Sequence, residues 1–328
     1  MLTDLPVCHP YAHYSGREPM KRQIRLDEDV LIAAVNTQHR DVIIKMIRND
    51  SPELHIIKVL ASDPMRSDPL NLSVPVLEIL EYDEEYSFVV MPRWGDTDPI
   101  IKTGFDCLET AFKFVEDVLK ALMFLHNNLI AHRDLKLGNI LLNYQYGPEI
   151  HDLRPFLSTK RARFVLCDFG LSVMFSPDIP LSPRICPAEE SERGSAQYHP
   201  IDDVGYDQIA YDPFSYDVAS LGGVLCELVG YMTPLVPPLA PFLDRLVTPD
   251  ITTRYSAAQA LEAFLELKNN MDLAFLSSTV PPSPPPQNNL YVFSRWQDHD
   301  RWAGLPADFV QKHAAMYELV RPKKWKFP

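Results

Sequence analysis

Two short polar segments constrain this chain more than any other feature. Residues 132–139 read His-Arg-Asp-Leu-Lys-Leu-Gly-Asn, and 29 residues beyond Asn139 the chain reads Asp168-Phe169-Gly170. The first segment lies between a long amphipathic pattern and a short apolar run. Leu108, Ala111, Phe112, Val115, Leu119 and Leu122 recur at helical spacing, and Ile140–Leu142 follows as a strand. The second segment follows a second apolar strand, 164–167. Charged loops hung on short strands beside a long helix call for a mixed α and β organisation.

The remaining pattern divides around these loops. Strand-like patches at 30–35 and 42–47 flank the polar turn 36–41, and Ser51-Pro52-Glu53 opens an amphipathic helix carrying Leu54, Ile57 and Leu60. A loop is expected at 62–75, with strands at 76–80 and 87–91. Helical patterns return at 218–228 and 257–267. The first part is thus sheet-rich and the second helix-rich, with the seam at Pro92 to Gly95. The expected divisions are an irregular lead-in (1–20), a sheet-rich unit (21–95), a helical unit (96–276), a stiff, solvated Pro-rich linker (277–289) and an aromatic tail (290–328). Residues 143–162 read as an irregular insert. Pro306 can start a helix in the tail, whose aromatic density, Trp302 and Phe309 included, suggests docking on the helical unit or on a partner protein.

The ordered pair of segments, each in its strand-and-loop context, resembles the eukaryotic protein kinase superfamily, whose HRDxKxxN and DFG motifs it matches. The resemblance implies a bilobal α+β fold with a small sheet-rich N-lobe and a larger helical C-lobe. It implies ATP and Mg2+ as cofactors. Phosphoryl transfer needs an aligned hydroxyl and neutralised phosphate charge. By the family's scheme Asp134 accepts or orients the proton of the attacking hydroxyl, and Lys136 sits against the transferring phosphate. Asn139 and Asp168 supply the hard oxygen ligands magnesium takes. His132 is expected to hold the catalytic loop through backbone hydrogen bonds, with Phe169 beside Asp168 and Gly170 allowing the backbone to turn. Lysine at 136 resembles kinases that phosphorylate Ser or Thr rather than Tyr.

The same resemblance extends on either side. Val42-Ile43-Ile44-Lys45 looks like the family's strand ending in the phosphate-binding lysine, with Glu53 as its partner. Along the pocket edge Met91 is expected to guard the back, Pro92 to offer its carbonyl to adenine and Trp94 its N–H. Residues 194–202 resemble the end of an activation segment, with Ser195 in the threonine place and Asp202 in the place of its terminal acid. Arg254 is the expected partner of Asp202; an alternative register puts His199-Pro200-Ile201 there and loses the acid. Asp217 resembles the buried aspartate that holds the catalytic loop's backbone. Arg133 either receives a phosphorylated residue, with Ser176, Ser182, Ser191 and Ser195 available, or pairs with a nearby acid.

The chain departs from the family most in its glycine-rich loop; the APE glutamate is also altered and the insert 143–162 is unusual in length. No glycine occurs from 21 to 94, so GxGxxG is absent, and Asp27, Glu28 and Asp29 stand in the corresponding stretch. Close backbone approach to phosphates needs those glycines, and carboxylates repel a triphosphate. Two functional classes follow: a Ser/Thr protein kinase acting on a protein substrate with an altered phosphate roof, or a pseudokinase serving as a binding or scaffold protein. The net charge of −13 argues against nucleic-acid and anionic-membrane partners. Five cysteines without a CxxC pair argue against a disulfide framework or zinc site. With no signal layout and no apolar run near the ~20 residues of a membrane span, an intracellular protein, cytoplasmic or nuclear, is expected.

Overall fold

The computed structural model describes residues 11–14, 31–97, 100, 104–145, 154–159, 161–179, 184–194, 198–204, 208–281, 301–313 and 315. After a short strand β1 (His13–Tyr14), the first half is built on four strands: β2 (Leu31–Val35), β3 (Asp41–Arg48), β4 (Glu78–Glu81) and β5 (Tyr86–Pro92). They form one antiparallel sheet in the order β2-β3-β5-β4, with Lys45 opposite Leu31 on one side and Val89 on the other. Helix α1 (Pro52–Leu60) starts where the sequence puts it. Ser51 caps it by accepting from the Leu54 N–H, and Leu54, Ile56, Ile57 and Leu60 are buried.

The second half contains α2 (Leu108–Asn127), β6 (Ile130–Ala131), β7 (Ile140–Leu142), β8 (Tyr144–Gln145), α3 (Arg154–Leu157), β9 (Phe164–Leu166) and β10 (Val173–Met174). Then come β11 (Cys186–Pro187), α4 (Ile201–Val204), β12 (Ala210–Tyr211), α5 (Pro213–Val229), α6 (Leu239–Val247), α7 (Ala257–Asn269), α8 (Leu273–Leu276) and α9 (Ala307–Lys312). The sheet-rich first half and helical second half make a mixed α+β fold. Helix α2 is the axis of the core. Phe112 meets Phe264 of α7 edge-on at 5.2 Å, and Phe114 meets Phe164 of β9 at 4.9 Å. Each such fully buried ring stabilises the fold by about 1.5–3 kcal/mol.

Several segments read as irregular are structured. Ser73, in the expected loop 62–75, pairs with Leu166 of β9, while Leu72 and Val74 are buried. The lead-in and the insert, both expected to be irregular, meet each other: β1 pairs in parallel with β8. Within the expected linker, residues 278–280 are tied to the start of α2. Thr279 bridges Cys107, the Val280 N–H reaches the Asp106 carbonyl at 3.1 Å, and Val280 is buried. The remainder of the expected linker lies outside the described residues, as do Val30, Asp27, Glu28 and Asp29.

Local backbone bonds join the two halves at the expected seam. The Gly95 N–H donates to the carbonyls of Leu142 (3.0 Å) and Tyr144 (2.9 Å), and the Leu142 N–H returns to Gly95 at 2.8 Å. Thr97 Oγ1 donates to the Leu137 carbonyl at 3.1 Å. The segment after β5 is therefore pinned to the strand that leaves residues 132–139. Among the described residues no helix is long and apolar enough to cross a membrane.

Candidate active site

Residues 132–139 leave β6 and enter β7, so both ends of this loop are held by strands. Its backbone is fixed from below by Asp217 of α5, which has no exposure. Asp217 Oδ2 accepts from the His132 N–H (2.6 Å) and Oδ1 from the Arg133 N–H (2.7 Å). His126 Nε2 lies 3.1 Å from Asp217 Oδ2. One carboxylate thus satisfies two successive buried amides, with Arg133 in the left-handed region at φ 66°. Such a conformation costs about 1–3 kcal/mol in a non-glycine residue, and the anchoring by Asp217 offsets it. From the side, His132 Nε2 lies 3.0 Å from the Cys167 carbonyl, and Ser172 Oγ donates to the His132 carbonyl at 3.0 Å.

The loop presents a connected polar set. Lys136 Nζ donates to Asp134 Oδ2 at 2.7 Å. Asn139 Nδ2 donates to the Asp134 carbonyl (2.8 Å) and to Asp134 Oδ2 (2.9 Å). Because the amide nitrogen of Asn139 is committed to Asp134, its oxygen is the group it has to offer a cation.

A second set forms above it. Lys45 Nζ, on β3, donates to Glu53 Oε1 of α1 at 2.7 Å and to Asp168 Oδ1 at 3.0 Å. Lys45 and Glu53 are buried, while the Asp168 side chain is 43% exposed. Burial pushes the Asp168 carboxyl up, but the charge and hydrogen bond of Lys45, helped by the Gly170 N–H, outweigh that and hold it below the ordinary carboxylate range. Asp168 also sits at φ 66°. Gly170 is needed here for space rather than for an unusual backbone: a Cβ would lie 3.3 Å from Asp168 Oδ1, 3.7 Å from Glu53 Oε2 and 3.9 Å from Lys45 Nζ. Phe169 is buried with its ring 5.5 Å from that of His132. The Cys167 thiol is pushed up to about 12, first by burial and then by Asp168, against the opposing charges of Lys45 and Lys136. Both polar sets therefore converge on the same short strand end.

The residues present fit a magnesium-bound nucleotide. Asp168 and the Asn139 amide offer hard oxygen donors, the type that suits a cation that keeps water and takes phosphate oxygens. Among the described residues no cluster of three or more His, Cys, Asp or Glu is placed to hold a metal. Pro92 and Trp94 stand at the end of β5 beside the pinned Gly95, both buried, with Pro92 opposite Val42 in the sheet.

Downstream, the structure corrects one pairing. Arg254 is held by Asp203, not Asp202, with bonds of 2.6 Å (Nη1 to Oδ2) and 2.7 Å (Nη2 to Oδ1). The acid of this bridge is thus one residue later than the resemblance placed it. Arg254 also donates to the carbonyls of Ser215 and Thr248, tying α4 to the start of α5 and the end of α6. Ser195 and Ser182 lie outside the described residues. Arg133 pairs with an acid: Nη2 donates to Glu190 Oε2 at 2.8 Å and Nε to the Tyr211 hydroxyl at 2.9 Å. Ser191 is buried, donating to the Ala188 carbonyl at 2.6 Å, and Ser176 is exposed. Sequence reasoning missed Glu190, Tyr211 and Asp203. The doublet Asp202-Asp203 left a one-residue ambiguity, whereas no sequence signal ties Glu190 to an arginine 57 positions away.

The family model described as protein kinase domain matches residues 74–238, about half of the chain. The match takes in the 132–139 loop, Asp168 and Asp217, and begins after Lys45 and Glu53. The chain is 27% identical over 218 residues to the mitogen-activated protein kinase spm1 of Schizosaccharomyces pombe, covering 64% of this chain and 46% of that protein. It is 43% identical over 53 residues to the dual serine/threonine and tyrosine protein kinases of Xenopus laevis and Xenopus tropicalis, covering 16% of this chain and 6% of each of those. The chain thus spans about half the length of the first of these relatives and a small part of the other two.

Proposed function

The chain belongs to the protein kinase family, and from that premise we propose that it is an ATP- and Mg2+-dependent kinase that transfers the γ-phosphate to Ser or Thr hydroxyls of a protein substrate. The observation that carries this reading is the joining of all the ionic groups of such a reaction in two hydrogen-bonded sets, Lys45–Glu53–Asp168 and Asp134–Lys136–Asn139.

In this reading Lys45, aimed by Glu53, holds the α- and β-phosphates. Asp168 and Asn139 would hold magnesium, which when bound would neutralise charge on the phosphate oxygens. Asp134, buried and oriented by Asn139, accepts the proton of the incoming hydroxyl through Oδ1 or Oδ2. Lys136, already at the Asp134 carboxylate, stabilises charge on the transferring group. The carbonyl of Pro92 and the N–H of Trp94 take the adenine edge. The sheet-rich 21–95 and helical 96–276 units form the two lobes of the catalytic domain.

Transfer of labelled phosphate from ATP to a protein or peptide tests this. The expected result is transfer to Ser or Thr by the wild type and its loss in Asp134→Asn, with magnesium–ATP still raising the melting temperature of that variant. A wild type that neither transfers phosphate nor shifts with magnesium–ATP overturns the reading. That outcome supports the second reading, a pseudokinase acting as a binding or scaffold protein, which the absence of glycine from 21 to 94 favours.

A further inference from the structure

Outside the catalytic groups, a deeply buried ion pair joins two distant parts of the chain. Asp244 lies on α6 and Arg301 in the tail; their side chains are 1% and 4% exposed. Arg301 Nε donates to Asp244 Oδ1 at 2.7 Å, and Arg301 Nη2 donates to the same oxygen. The other carboxylate oxygen, Oδ2, accepts from the Trp302 indole Nε1 at 2.7 Å. The carboxylate thus receives a guanidinium on one oxygen and an indole N–H on the other, from adjacent residues. The neighbouring cation on α6, Arg245, is turned elsewhere, donating to the Thr253 carbonyl and lying over the Tyr255 ring.

The tail closes around this contact. Gly304, at φ 78°, reverses the chain directly after Trp302, a turn that suits a residue without a side chain. Helix α9 then brings Phe309 and His313 back to within 6.1 and 6.3 Å of the Trp302 ring. The pair also lies against the end of α5: a Cβ on its capping residue Gly230 would lie 3.9 Å from Arg301 Cγ. Helix α6 meets α5 so closely that a Cβ at Gly222 would lie 2.7 Å from side-chain atoms of Leu246 and Val247. A carboxylate left alone at this depth is strongly unfavourable, while a fully paired one is tolerated.

We propose that Asp244 is a recognition site for an Arg-Trp sequence, occupied in cis by Arg301 and Trp302, and that residues 301–313 form a clasp which holds α6 against α5. The clasp makes the tail part of the catalytic domain. Its occupant is this chain's own segment rather than a second copy, because Arg301 and Trp302 already satisfy both oxygens of Asp244 within one chain.

The test is a thermal-melting cycle on the full chain: wild type, Arg301→Ala, Asp244→Leu, and the double variant. Arg301→Ala strands the buried carboxylate and is expected to lower the melting temperature by roughly 5–10 °C. The double variant, with neither charge left, is expected to melt well above Arg301→Ala. If Arg301→Ala does not fold, recovery of a folded protein in the double variant supports the proposal and failure to recover overturns it. Additive losses around the cycle also overturn it. A peptide of residues 299–313, added to an Arg301→Ala/Trp302→Ala chain, is expected to raise its melting temperature with concentration, and the same peptide with Ala at position 301 is not. No response to either peptide overturns recognition. Wild-type melting that depends on protein concentration, with a dimer by light scattering, overturns occupation in cis.

Discussion

The lower and upper halves of the active site are built differently. In the lower half, Asp134, Lys136 and Asn139 lie within six consecutive residues, and the loop that carries them is nailed to α5 through both oxygens of Asp217. Its support is the helical core, where large side chains are fully buried. In the upper half, Lys45 meets a helix eight residues away and a loop 123 residues away. Its support is a four-stranded sheet with Ile32, Val35 and Leu80 exposed. The family match covers the lower half and begins after Lys45 and Glu53. Chemistry concentrated in one buried loop leaves little latitude for change. The upper set is assembled from three elements, and this is the half whose sequence, from 21 to 94, contains no glycine.

Variants that separate the halves sharpen this contrast. Asp134→Asn is expected to lower phosphate transfer by about 10²–10⁴-fold, the usual contribution of a positioned base, without lowering the melting temperature. A similar loss of stability would make Asp134 structural. Asp217→Ala strands the amides of His132 and Arg133 and is expected to cost about 3 kcal/mol in urea unfolding, with activity falling alongside. Retained stability would mean that the loop is held from elsewhere.

Lys45→Met attacks the upper half alone. In the wild type the Asp168 carboxyl is held below its ordinary value, so its contribution to stability is present above the unfolded value and is lost as pH falls through the depressed one. Without the ammonium, burial acts nearly unopposed and the Asp168 pKa rises. Carboxyl carbon NMR is expected to show that rise, together with a weakened melting shift in magnesium–ATP. An unmoved Asp168 titration would detach Lys45 from it. The mildest change is Gly170→Ala. Its methyl group displaces the Asp168 carboxylate by a few tenths of an ångström, and transfer is expected to drop about tenfold with folding intact.

How much was legible beforehand follows the same division. Lys45, Glu53, Asp134, Lys136, Asn139, Asp168 and Asp217 could all be named from the resemblance; the structure joins the first six in two hydrogen-bonded sets, and Asp217 holds the amides of His132 and Arg133. The acid that meets Arg254 is Asp203, one residue after the expected Asp202, because the doublet offers spacing two equivalent acids. The pairing of β1 with β8 joined two stretches with no periodic pattern, and two-residue strands leave none to read.

By itself the sequence determined the kinase fold and named the candidate catalytic groups. Short-range spacing dictates which side chains share a loop, and the apolar period dictates which face of α1 or α2 turns inward. The tertiary structure alone decided the long-range ion pairs: Arg133 with Glu190, Arg254 with Asp203, and Asp244 with Arg301 and Trp302. A charged side chain carries no sequence mark of its partner. Desolvation by the surrounding core selects the partner, and that core exists only once the chain has folded.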